Sequence, residues 1–247
     1  MASYNLFQAP TIFLIETFYE QLWGFRPNLI PSFVKQKGAL RSLFWFIKNT
    51  LKYESTLEQW GHMPTHVAAT TLSVINNCPY SVFGHGFALG LAYLKQTGNL
   101  FPITEQELVE LCGLEETTIV ARLSQALEQA GLEHEIMRIQ RLAELQRNPK
   151  LAATKRDRTL LHLIQMFHTL NACATRANIR RDQAHDALNK DRGLRDRYIT
   201  LRRSQAAQAT IESQTTTEQD TTVLNPADIA IPTRITPTGV IPTRAEW

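Results

Sequence analysis

Apolar positions recur at helical spacing along most of the chain before Ser204. TIFLIETFYEQLW, from Thr11 to Trp23, places Phe13, Leu14, Phe18 and Leu22 on one stripe, which predicts a helix. After Pro27 and Pro31, Val34–Tyr53 continues as a second helix with an apolar face of Leu43, Phe44, Phe46 and Ile47. Pro64 suits the first turn of a helix running to Asn76, and another starts near Pro79 and ends at Gly98. Thr104 and Glu107 form a capping box before LVEL, with Gly113 as the stop. Glu115–Gln129 and Glu133–Arg147 follow, ended by Gly131 and Pro149. Arg156–Ala174 and a charged helix over Ala177–Ala206 complete the set. Alternating β-branched runs and Asn-Gly turns are scarce, so the expected class is all-α.

Residues 204–247 differ. They hold ten Thr, four of the eleven Pro, and no aromatic before Trp247. Such a composition buries too little apolar surface to offset ordering entropy, which predicts an extended or disordered tail. Ile231-Pro-Thr-Arg234 is repeated as Ile241-Pro-Thr-Arg244, so the tail is expected to dock a partner through these two copies and Trp247.

Composition narrows the class. With 247 residues, 43% hydrophobic, the chain is long enough for a sizeable core. The three separated thiols Cys78, Cys112 and Cys173 make no disulfide framework, and MASYNLFQAPTIFL lacks a basic leader, so a cytoplasmic, reducing compartment is expected. Gln59–Leu94 contains no Asp, Glu, Lys or Arg over 36 residues. Asn76-Asn77-Cys78-Pro79 breaks that run and three histidines interrupt it. It reads as two buried helices, and no membrane span is expected. The net charge of +3 hides 16 Lys/Arg against 6 Asp/Glu between Arg138 and Arg203. Arginine there alternates with aspartate, as on a solvated helix, which argues against a nucleic-acid surface.

The chemistry-bearing segment is His66-VAATTLSVINN-Cys78-Pro-Tyr-Ser81-Val-Phe-Gly-His85. Cys78, Ser81 and His85 stand at i, i+3 and i+7 on one helix face, with Cys78 at the N-terminus, where backbone N–H groups favour a thiolate. Ser81 is placed to hydrogen-bond the sulfur, and His85 to move a proton. The turn at Asn76-Asn77 returns the preceding helix, so His66 is expected at the same spot. The plainer readings are a buried apolar Cys78, a core His85 satisfied by a carbonyl, and a helix-start His66 facing solvent. Cys112, Cys173, His134, His162, His168 and His185 form no zinc spacing, and no metal or cofactor is expected.

Over roughly residues 30–130 this segment resembles the alkylhydroperoxidase D / carboxymuconolactone decarboxylase family. The peroxidase branch carries a glutamate, eleven residues, then Cys-x-x-Cys and a histidine four residues later. His66 stands at the glutamate position, Cys78 and Ser81 at the cysteines, and His85 at the histidine. The following ALGLAYLKQTGNLFPITEQELVEL is also similar to the family. The resemblance implies an alkylhydroperoxidase-like helical bundle over residues 1–150, extended by charged helices over 151–203 and by the tail over 204–247. It also implies a homo-oligomer, which the aromatic content of residues 7–60 fits.

In that branch the second cysteine attacks the peroxide, and a serine does not form a sulfenic acid. The resemblance therefore implies lost peroxidase activity and a structural or assembly role. Two alternatives stand beside it. One is thiol redox chemistry by a lone Cys78 with His85; the other is a decarboxylase-like lyase using His66 and His85.

Overall fold

A computed structural model describes residues 7–221, with side chains described through residue 210. The described residues form ten α-helices and no strands, so the chain is all-α. The helices are α1 (Gln8–Trp23), α2 (Leu29–Lys37), α3 (Ala39–Trp60), α4 (His62–Ile75), α5 (Pro79–Thr97), α6 (Glu105–Glu110), α7 (Glu116–Gln129), α8 (Glu133–Arg147), α9 (Lys155–Ala177) and α10 (Arg192–Thr221). Among the described residues no helix is long and apolar enough to cross a membrane.

The uncharged run from Gln59 to Leu94 becomes the central pair, α4 and α5. Ala68, Ala69, Leu72 and Val74 on α4, and Val82, Ala88 and Leu91 on α5, are fully buried. Charged side chains are excluded there because both helices are enclosed on nearly all sides. Helices α7 and α8 cover one flank through Ile119, Leu127 and Ile139. Helix α9 packs Leu160, Leu163 and Phe167 against α4 and against Tyr53 of α3. On the other flank, α1 and α2 contribute Ile15, Tyr19, Ile30 and Phe33.

Four expectations about local structure need correction. The second predicted helix is broken at Gly38, whose φ of +85° is open to glycine but strained for other residues, so α2 and α3 are separate. The predicted helix over Ala177–Ala206 ends at once. Asn178 adopts a left-handed cap, and residues 178–191 form a loop with one 3₁₀ turn before α10 begins. Aspartates sustain that loop locally: Asp186 and Asp191 accept hydrogen bonds from the backbone N–H groups of Leu188 and Leu194. Helix α9, expected in a charged extension, is part of the core.

Finally, residues 204–221 are helical rather than extended, whereas Ile231–Arg234, Ile241–Arg244 and Trp247 lie outside the described residues. The chain divides into two units, Met1–Arg202 and Arg203–Trp247. In the first, Tyr198 of α10 reaches α5 at Gly90, and Arg202 donates to the carbonyls of Phe101 and Ile103. In the second, residues 203–210 are exposed.

His162 of α9 gives the fold an acid sensitivity. It is buried, its Nε2 meets Asn49 Oδ1 at 3.1 Å, and its Nδ1 has no partner. Burial, with the charges of Lys52 and Lys48, pushes its pKa down to about 4. The unfolded chain binds this proton near pH 6.5 and the folded chain does not, so stability falls as pH drops from about 6.5 to 4. At full weight the difference is worth about 3 kcal/mol, and about half of that after solvent screening. Urea unfolding across this window should therefore show an acid slope that His162→Gln flattens. An unchanged slope in the variant would assign the acid limb to other groups.

Candidate functional site

Gly61, at φ +88°, turns the chain into α4, so His62 and His66 stand one turn apart on the same helix face. At the other end Asn77 adopts φ +51°, Cys78 caps α5 in a non-helical conformation, and Pro79 occupies the first turn. This tight return lays α5 along α4. Cys78 therefore stands at the helix N-terminus, as its spacing before Pro79 predicts.

The four residues singled out from sequence form two pairs. His66 Nδ1 and His85 Nδ1 lie 3.3 Å apart, joining α4 to α5. The Cys78 thiol donates to Ser81 Oγ at 3.5 Å. Ser81 and His85 both border an internal cavity of about 40 Å³, but Cys78 does not. Cys78 is 1% exposed, in the apolar cluster that includes Ile30, Phe33 and Cys173. Cys78, Cys112 and Cys173 are all free thiols. Burial raises the Cys112 thiol to about 11 and raises Cys173 as well, which leaves both weak nucleophiles at neutral pH.

His85 is buried beneath Phe167, Tyr53 and His185. Burial, then the proximity of His185 and His66, holds its pKa well below the ordinary histidine value, so the ring is neutral.

Sequence reasoning missed the other half of the site, which the 178–191 loop supplies. Asp186 is fully buried, and its Oδ2 accepts from His62 Nδ1 at 2.8 Å and His66 Nε2 at 2.7 Å. Burial pushes this carboxyl up, but bonds from both imidazoles and the Leu188 N–H outweigh it and hold the group well below the usual range. The bond to Asp186 in turn raises the His62 pKa against the opposing effect of burial.

Four residues earlier, Asp182 accepts from Tyr80 Oη at 2.9 Å, His185 Nε2 at 2.7 Å and the Asn28 N–H at 3.0 Å. His185 is keyed onto α5: its backbone N–H donates to the Gly84 carbonyl, and a Cβ on Gly84 would sit 2.5 Å from both ring nitrogens. Glu54 of α3 stands in the same field. Burial and the charge of Asp186, opposed by His62, raise it to about 7, and its Oε1 has no hydrogen-bond partner.

The interior thus contains two Asp–His systems that meet at the neutral His85. Such an arrangement can hold protons at defined atoms, and His62, His66 and Asp186 can hold a metal ion. The His-x-x-x-His spacing at the start of α4 was the legible signal for that second capacity, and the expectation of no metal-ligating pattern passed over it. Cavities differ in their use of the site. The internal one beside Ser81, His85 and His185 has room for only a few water molecules. A pocket of about 440 Å³ is bordered instead by His62, Trp60, Lys95, Gln96, His134 and Glu135. Comparisons with protein-family models, with curated proteins and with solved structures found no match.

Proposed function

We propose that the protein is an alkylhydroperoxidase-like subunit without thiol peroxidase activity, whose role is assembly with further copies of itself. The observation that carries this reading is the outward face of α1 and α3. Phe13, Leu14 and Phe18 on α1, and Leu40, Phe44, Ile47 and Leu51 on α3, are all exposed, Phe44 to 70%. Leu14, Phe18, Ile47 and Leu51 of this set line an apolar groove of about 250 Å³. The α3 residues follow a four-three-four spacing, the stripe by which one helix packs along another. A continuous apolar face of this kind on a protein surface marks an interaction site. A second copy fits it because the same stripe meets itself across a two-fold axis.

The buried thiol supports the first half of the reading. Cys78 has a serine as its neighbour and stands outside the small cavity that Ser81 and His85 border. Three free thiols also suit a reducing, cytoplasmic-type compartment.

Light scattering at micromolar concentration should return a multiple of the 28.1 kDa chain mass. The double variant Phe44→Asp, Ile47→Asp should return the single-chain mass with unchanged helicity, since both residues are exposed. A wild-type protein that is monomeric under these conditions sinks the assembly reading.

One observation favours a decarboxylase-like lyase as a second reading. His62 and Lys95 border the same 440 Å³ pocket, which provides a cation for a carboxylated substrate beside an aspartate-held imidazole. Calorimetric titration with small mono- and dicarboxylates discriminates the two, because an assembly subunit has no reason to bind them there.

A further inference from the structure

We infer that His62, His66 and Asp186 form a binding site for a divalent first-row transition-metal ion. The donor atoms are in place on independent elements. The two histidines project from successive turns of α4, and the carboxylate comes from the 178–191 loop. One donor atom from each lies within 4.8 Å of the others. The carboxylate oxygen stands 2.8 and 2.7 Å from the two nitrogens. Ligands at about 2.0–2.2 Å from an ion stand roughly 3.0–3.6 Å from one another in octahedral or tetrahedral geometry. The two oxygen–nitrogen edges therefore need to lengthen by only a few tenths of an ångström, and the two nitrogens lie within 4.8 Å of each other. Two imidazoles and one carboxylate are a borderline nitrogen and oxygen set, suited to Zn²⁺, Fe²⁺, Mn²⁺ or Co²⁺, and three protein ligands leave coordination positions free.

Two further features fit. The ligands are oriented from behind: the Leu188 N–H holds the other Asp186 oxygen, and His85 meets the far nitrogen of His66. An ion also has a route in, because the His62 side chain is 44% exposed and borders the 440 Å³ pocket, whereas His66 and Asp186 are closed off. A positive ion there compensates the charge of a buried carboxylate that both imidazoles hydrogen-bond.

Binding changes the proton arrangement in a defined way. Without an ion, His66 in its Nε2–H tautomer donates to Asp186, and its Nδ1 accepts from His85. With the ion on Nε2, the His66 proton resides on Nδ1 and is donated to His85, whose own proton moves to Nε2. His62 shifts its proton from Nδ1 to Nε2 likewise. An ion on the triad therefore reverses the hydrogen bond between His66 and His85.

The test uses the full chain, freed of metal by a chelator and titrated with Zn²⁺, then with Co²⁺ as the spectroscopic probe. One ion per chain is expected, with ¹⁵N signals reporting the tautomer change at His66 and His85. His62→Ala, at a half-exposed helix start and with retained helicity checked by circular dichroism, should weaken binding at least about tenfold. His134→Ala, also bordering the pocket but outside the triad, should leave affinity unchanged. Failure to bind Zn²⁺, or binding retained in His62→Ala, overturns the inference. Loss of binding in His134→Ala with retention in His62→Ala places the ion on the pocket rim instead and overturns it equally.

Discussion

Gly84→Ala should destabilise the protein by about 2–3 kcal/mol, far more than an alanine in a helix ordinarily does. Alanine in place of glycine within a helix normally stabilises by up to about 1 kcal/mol. Here the new methyl group would stand 2.5 Å from both nitrogens of the His185 ring, which is well inside contact distance. His185 is hard to displace, because Trp23 and Phe25 stack on its ring and its backbone N–H is bonded to Gly84 itself. Relief requires the loop to leave α5. That withdraws Asp182 from Tyr80, and Asp186 from His62 and His66, so buried donors lose their acceptors.

Gly86→Ala is the matched control. Its methyl group meets the flexible end of Leu108 at 2.9 Å, and a small rotation accommodates it. Urea unfolding of the two variants should separate them by at least about 2 kcal/mol. Equal stabilities would mean that the loop is not seated on α5 through His185.

That loop marks the limit of what the sequence discloses. The helices of the central pair were legible because an uncharged stretch broken by Asn-Asn-Cys-Pro has few other physical solutions. The capping box at Thr104 was legible because its chemistry is local, and it forms. Charge alternation between Ala177 and Arg203 pointed the wrong way. Arginine and aspartate at short spacing satisfy a solvated helix equally well on paper, yet Asp182 and Asp186 are used against side chains more than 100 residues away. Long-range pairing leaves no periodicity to read.

The stripe of Phe13, Leu14 and Phe18 illustrates a different limit. Its helical spacing was legible, but its direction was not, because α1 buries Ile15, Tyr19 and Trp23 toward the core and turns Phe13, Leu14 and Phe18 outward. An apolar position encodes the need for cover without saying which surface provides it. In the site, the approach of His66 to His85 followed from the helical return at Asn76-Asn77. The separation of Cys78 from that pair did not follow, since residues on one helix face still differ in which neighbouring helix they meet.

Ser81→Cys should convert an inert thiol into a disulfide-forming pair, while the wild-type protein should reduce hydroperoxides no faster than a free thiol. The Cys78 sulfur already lies 3.5 Å from Ser81 Oγ, so a sulfur at that position reaches the roughly 2.05 Å of a disulfide through side-chain rotation alone. The balance of the reaction states what each chain lacks. A thiolate attacks the O–O bond, releasing an alcohol or water and leaving a sulfenic acid; a second thiol then condenses with it, expels water and forms the disulfide. In the wild-type chain the group that meets the Cys78 sulfur is a hydroxyl rather than a second thiol, and Cys78 is shielded from solvent.

In the variant, the introduced thiol takes the place of a hydroxyl that borders the 40 Å³ cavity, which sets a size limit on the oxidant. Hydrogen peroxide should therefore oxidise Ser81→Cys, read by mass spectrometry as loss of two hydrogens that a reductant reverses, whereas a bulky aryl hydroperoxide should not. Oxidation of the variant by both at similar rates would mean that the interior opens more widely than the static cavity. Rapid hydroperoxide turnover by the wild-type protein would mean that a group other than a Cys78–Ser81 pair performs the chemistry, and the half-buried Cys112 would then be the sulfur to substitute first.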